Sequence, residues 1–291
     1  MVLTSKKFWH RAVWILRKNN KISIICRIIG KTRQAYYKAL KLYNKRSLSD
    51  NQAIAKVQYL RLIHPKIGTR KLQYILAKFH DINIGRDKLS SLLREHNMLI
   101  KRKRKILYFS TNKAQRSNNK VRNIEINAPG QVMYSDITYL KSKKRDYYLA
   151  LVVDAYSRKI IGYNLSGSLE ASQAKTALKQ AIDQSHGKYK IHHSDGGIQY
   201  ICKEYKDFLA ENNIESSMTK PASPQENPVV ERINGILKHE YGLKKTFDNY
   251  EEMLAKTKMA ITIYNNIRPH WSLNLQVPNL VHQKVSTNFR T

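Results

Sequence analysis

The sequence predicts an α/β domain, a five-stranded mixed sheet with flanking helices, preceded by small all-α modules. Three observations predict it: helical periodicity up to residue 100, strand and helix runs ordered βββαβαβα after residue 126, and a charge that differs between the two parts. Residues 1–125 hold 31 basic and 5 acidic side chains, a net of +26, and the remainder carries only +6 of the total +32. Such a concentration of cations calls for a polyanionic partner, and nucleic acid fits better than an anionic membrane surface. The chain accordingly divides into a helix-turn-helix segment (1–48), a second small helical DNA-binding module (49–100), a basic linker (101–125) and an α/β core with a C-terminal helical extension (126–291).

From Lys21 to Leu42 two helical patterns flank Gly30: Ile22, Ile24, Ile25 and Ile28 form the first apolar set, and Thr32 caps a second helix through Tyr36, Tyr37 and Leu40. On that second helix Arg33, Gln34 and Lys38 are candidates for the DNA groove. A further cluster reads as Ala53 to Ile63, then Thr69 to Phe79 after the His64-Pro65-Lys66-Ile67-Gly68 break, then Arg86 to Asn97. The run Lys101, Arg102, Lys103, Arg104 and Lys105, followed by polar residues from Ser110 to Asn119, reads as a solvated linker that tracks phosphates.

After Pro129-Gly130 the period changes to that of strands. Gln131 to Leu140 comes first, and Tyr147 to Val153 follows as an unbroken apolar run expected of a strand covered on both faces. Ile160 to Leu165 pairs back, and a helix from Glu170 places Ala171, Ala174, Ala177, Leu178, Ala181 and Ile182 on one stripe. Then come a strand from Tyr189 to Asp195, a helix around Tyr205, Phe208 and Leu209, a strand from Ile214 to Met218, and helices beginning near Pro228 and Asn249. That order is the order of an RNase H-like fold. Cys26 and Cys202 are the only cysteines, too few and too far apart for a disulfide framework or a zinc finger. No signal-peptide pattern and no apolar run long enough to span a bilayer appears, so a cytoplasmic, nucleoid-associated protein without a membrane partner is expected.

Phosphodiester chemistry assisted by two magnesium ions about 4 Å apart requires carboxylates converging from separate elements. Asp136 lies mid-strand, where an unpaired charge is costly. Asp195 ends a strand before Gly196 and Gly197, which allow close backbone approach by a ligand. Glu231 follows Asp195 with 35 residues between, on the helix that Pro228 starts. Spacing alone is weak: with 10 Asp and 11 Glu in 291 residues, about 0.4 such pairs arise at any one separation by chance. Local context has to carry the reading.

That context resembles the transposases of insertion sequences of the IS-three type, within the retroviral-integrase superfamily. The resemblance lies in Gln131-Val132-Met133-Tyr134-Ser135-Asp136-Ile137-Thr138-Tyr139, His193-Ser194-Asp195-Gly196-Gly197-Ile198-Gln199-Tyr200, and Glu226-Asn227-Pro228-Val229-Val230-Glu231-Arg232-Ile233-Asn234-Gly235-Ile236-Leu237-Lys238. Tyr264 to Asn274 with Pro278 and His282, and the N-terminal Cys26 to Gly30 with Arg33, Tyr36 and Tyr37, extend it over nearly the whole chain. Met133 and Ile67 depart from the family pattern, which usually has aromatic residues there, as does Ala222, where glycine is usual.

The resemblance implies an integrase-type catalytic core in which Asp136, Asp195 and Glu231 hold two Mg²⁺ ions, with Mn²⁺ able to substitute. It also implies that Lys238 contacts DNA near the cleavage site, and that the partners are double-stranded element ends, target DNA and further copies of the chain assembled on DNA. Water would nick the element end, and the freed 3′-hydroxyl would then attack a second phosphodiester. At about 100° per residue Glu231, Gly235 and Lys238 share one helix face, opposite Val230, Ile233 and Leu237.

Other polar residues read as structural. Asp154, with Ser157 and Arg158, reads as a turn-stabilising side chain, and His192 and His193 as packed or hydrogen-bonded strand residues. Arg268 and His270 are open to DNA contact or packing, with packing favoured for Trp271. Two rivals remain at this point: a DNA-binding regulator with an inactive integrase-like domain, and a nuclease acting on RNA hybrids.

Overall fold

The computed structural model describes residues 9–100, 119–122, 124–185, 189–219 and 227–287, with side chains to residue 283. The chain forms two compact units, with bounds at Leu62/Ile63 and Ile67/Gly68: helices up to residue 62 group with residues from 68 to 100, and residues 63–67 group with the later chain.

In the first unit, α1 (Trp9–Leu16), α2 (Ile22–Ile28) and the start of α3 (Arg33–Ile63) bury Val13, Ile25, Cys26 and Tyr36 together, with Trp9, Ile22, Ile29 and Leu40 packed around them. The turn between α2 and α3 is set by Gly30 at φ +70°: Gly30 N–H donates to Arg27 O and Lys31 N–H to Cys26 O, closing the helix end. Thr32 Oγ1 then accepts the Ala35 N–H at 3.1 Å, the expected cap. The helix-turn-helix is therefore present, with α1 added in front.

The expected boundary at 48/49 is not a break: α3 runs 31 residues without interruption. The stretch Lys41 to Gln52 lacks the apolar periodicity by which helices are read, yet it contains neither Gly nor Pro, so nothing stops the helix from propagating through solvent. Further on, α3 buries Ile54, Val57 and Leu60, α4 (Thr69–His80) buries Leu72, Ile75 and Leu76, and α5 (Arg86–Glu95) buries Leu89 and Leu93. An ion pair between Lys88 and Asp50 ties α5 to α3.

The second unit is built on a five-stranded sheet of order β3-β2-β1-β4-β5. β1 (Val132–Lys141), β2 (Asp146–Asp154) and β3 (Ile160–Ser166) are antiparallel neighbours, and β4 (Ile191–Ser194) and β5 (Glu215–Met218) join in parallel on the other side of β1. This is the RNase H-like arrangement the element order predicted. Alternation along β2 sends Leu149, Leu151 and Val153 to one face and Ala150 and Val152 to the other. The second face is covered by α6 (Ala171–Ser185) and α8 (Lys203–Glu211), with the one-turn α7 (Ile198–Ile201) before α8. The first is covered by α9 (Pro228–His239) and α10 (Tyr250–Asn266), and a 3-10 turn at Trp271–Leu273 and α11 (Pro278–Thr287) complete the unit. Met133 fills the α6 side as a fully buried apolar residue.

The His64-Pro65-Lys66-Ile67 break belongs to this second unit rather than to the helical one. His64 is buried with Nδ1 3.1 Å from the Tyr241 hydroxyl, and Ile67 is fully buried.

Candidate active site

Three elements converge on Asp136. β4 lies parallel to β1 with Tyr134 opposite His193, so Asp195, just past the end of β4, comes out of the sheet beside Asp136. α9 is fastened across β1 by two asparagines two turns apart. The Asn227 side-chain amide donates to Ser135 O at 3.0 Å, and that of Asn234 donates to Asp136 Oδ2 at 2.7 Å. Glu231 lies between them on the same face of α9.

The electrostatics record the convergence. Burial pushes the Asp136 carboxyl up to about 7, assisted by the charge of Asp195, opposed by the bonds from Asn234 and the Ile137 N–H, and raised again by Glu231. Acids brought together in this way repel, so a cation placed among them is favoured. Asp195 and Glu231 are exposed; Asp195 Oδ1 accepts the Gly197 N–H at 3.2 Å, and a β-carbon on Gly197 would stand 3.0 Å from that oxygen. Lys238 is half-buried; burial lowers its pKa, Asp136 opposes that and Lys244 adds to it, which places its ammonium within the field of Asp136.

The donor set suits a hard divalent cation: oxygen ligands only, with the Oδ1 atoms of Asn227 and Asn234 buried beside them and unpartnered. The oxygens are not drawn into a closed ligand cage, for no group of three or more Asp, Glu, His or Cys among the described residues is arranged to hold a metal. The three carboxylates share a field without yet sharing a centre.

Comparison with known proteins places this unit. Two family models, each described as an integrase core domain, match residues 126–224 and 212–278. The chain is 28% identical over 270 residues to the insertion element IS600 uncharacterized 31 kDa protein of Shigella sonnei, covering 89% of this chain and 98% of that one. It is 27% identical over 207 residues to the transposase for insertion sequence element IS629 of Shigella sonnei, covering 70% of each. The chain belongs to the IS-three-type insertion-sequence transposases. It is thus a DNA transposase, a polynucleotidyl transferase of the Asp-Asp-Glu type. Among solved structures, the HTLV-2 integrase catalytic core domain in complex with magnesium aligns with TM-score 0.44 at 21% identity, over 53% of this chain and 97% of that one.

In the transposase the remaining predicted residues divide clearly. Arg33, Gln34 and Lys38 are exposed on the first turns of α3, whereas Lys101, Arg102, Lys103 and Arg104 lie outside the described residues, as does Ala222. Asp154 is fully buried and structural: Oδ1 accepts the N–H and hydroxyl of Ser157, both at 2.6 Å, and Oδ2 accepts the Gly130 N–H at 2.9 Å and the Tyr189 hydroxyl at 3.1 Å. His192 and His193 are packed within the sheet. His192 Nε2 meets the Ser135 hydroxyl at 2.7 Å and that of Tyr205 at 3.0 Å, and burial, with His193 adding, pushes its pKa down to about 3, so it stays neutral.

The C-terminal reading is reversed for one residue. Arg268 and His270 are buried, with Arg268 forked onto Glu240 at 3.1 and 2.8 Å, but Trp271, expected to pack, is 56% exposed. The residues that sequence reasoning missed are Asn227 and Asn234. Their signal was present: positions four before and three after Glu231 fall on its helix face, and both are polar where burial would favour apolar side chains.

Proposed function

We propose that this transposase cleaves the double-stranded ends of an insertion sequence and joins them to target DNA at a site formed by Asp136, Asp195 and Glu231. The observation that carries the reading is the raised carboxyl of Asp136, which is buried and lies within the field of both other acids. Two magnesium ions, or manganese in their place, held by these carboxylates would neutralise the phosphoryl oxygens and acidify the attacking hydroxyl.

The chain's own residues supply position. Asn234 fixes one oxygen of Asp136, and Asn227 holds the start of α9 against β1, with Glu231 between the two asparagines on the same helix face. Lys238, two turns past Glu231 on the same side of α9, offers a cation to the DNA phosphates beside the cleaved bond. Water attacks first and frees a 3′-hydroxyl; that hydroxyl then attacks a phosphodiester of the target, so bond energy passes from strand to strand. Arg33, Gln34 and Lys38 on α3, with the Lys101 to Arg104 run, grip the element end, and copies of the chain assemble on DNA in the bacterial nucleoid.

Nicking and joining of labelled element-end duplex with Mg²⁺ tests this reading. Wild type should yield both nicked and joined DNA, and Asp195→Asn neither. Equal product from both would leave the integrase-like domain as part of a DNA-binding regulator, and cleaved RNA from a hybrid without joined DNA would make the chain a nuclease.

A further inference from the structure

On the flank of α9 away from the carboxylates lies a cleft of about 200 Å³, lined by Val229, Arg232 and Ile236 of α9, Arg158 of the β2–β3 turn, Tyr264 of α10 and Ser272. At about 100° per residue, Val229, Arg232 and Ile236 point nearly opposite to Asn227, Glu231 and Asn234, so this cleft is separate from the catalytic face.

Two features of the cleft need a reason. Neither Arg158 nor Arg232 forms an ion pair among the described residues, although both residues line the same small space. Arg158 also occupies the left-handed region at φ +62°, unfavourable for a side chain of this kind. The fold secures it there: Arg158 N–H donates to Asp154 O at 3.0 Å, and the Tyr264 hydroxyl donates to Arg158 O at 2.9 Å. The fully bonded carboxylate of Asp154 anchors the same turn.

We propose that this cleft binds one phosphate of a DNA backbone, gripped by Arg158 and Arg232 together. Planar guanidinium forks match phosphate oxygens, and an apolar wall behind them strengthens the attraction relative to open surface. The volume is below the roughly 300–1,000 Å³ of small-molecule pockets, which suits a single phosphate group rather than a free nucleotide. Ser272, which also lines the cleft, carries a hydroxyl able to donate to such a phosphate. The proposal rests on the reading of the chain as a DNA strand transferase and adds a place where the duplex is held away from the reacting bond.

The test is the salt dependence of duplex binding by the full chain, comparing wild type with Arg232→Gln, Arg158→Asn and the double variant. Asn tolerates the left-handed backbone, and Arg232 is exposed, so the fold should survive both changes. Each single variant should reduce the slope of log K against log salt by about one, whatever the DNA sequence, and the double variant should lose no more, because one phosphate is shared. Unchanged slopes in folded variants that still bind DNA overturn the proposal and leave the assigned function standing. A change in self-association at unchanged slope also overturns it, since the forks would then hold a carboxylate of a second copy. A wild-type chain that binds no duplex removes both readings.

Discussion

Asp154 and Asp136 are two withdrawn carboxylates with opposite surroundings. Burial would raise Asp154, but the His282 imidazole 3.8 Å away, the Ser157 donors and the Gly130 N–H outweigh it and hold the carboxyl below its ordinary value. Its folded pKa therefore lies under the unfolded value of about 3.9, so its contribution to stability is present above that pH and is lost as pH falls through the folded pKa. Asp154→Asn should cost about 3 kcal/mol at pH 7, because buried donors lose a charged acceptor. The gap from wild type in urea midpoint should narrow as pH drops below about 4; a gap constant from pH 7 to about 3 contradicts this assignment. The turn role of Asp154 was legible in the sequence because Asx turns act within a few residues. The bond from Asn234 to Asp136 was not, because it spans 98 residues and exists only once α9 lies on β1.

Helices and strands show where sequence patterns suffice and where they fail. β2 and β3 could be read because apolar runs between turn signals have few alternatives, and α6 because its alanine stripe keeps helical period. The stripe has a partner in Gly162 of β3, where a β-carbon would collide with the Ala177 carbonyl and stand 3.1 Å from the Ala181 nitrogen. Small residues on both sides let α6 approach the sheet closely. Gly162→Ala should therefore lower stability by at least about 2 kcal/mol in urea denaturation, since the obstacle is backbone that cannot rotate away. A loss under about 0.5 kcal/mol would mean that α6 sits farther from β3. By contrast, the polar middle of α3 carries no periodic signal, so its pattern reads as two helices, and α1, only eight residues long, offers too few positions for a period to show. The 63–67 segment looked like a break between helices, yet its buried His64 and Ile67 serve the sheet unit, a long-range partnership that local pattern does not encode.

Across the whole molecule, charge and chemistry are divided: the first 125 residues carry most of the net +32, while the three acids belong to the later chain. No helix among the described residues is long and apolar enough to cross a membrane. The division suits an enzyme that holds a polyanion with one part and cuts it with another. The central claim is that Asp136, Asp195 and Glu231 hold divalent cations in common, although their oxygens are not yet closed into a cage. Calorimetric titration of Mn²⁺ into the full chain, repeated for Asp136→Asn, Asp195→Asn and Glu231→Gln, tests it most directly. Affinity should fall at least about tenfold in every variant, as expected when a metal site loses a group it depends on; binding that matches wild type in all three would contradict the claim.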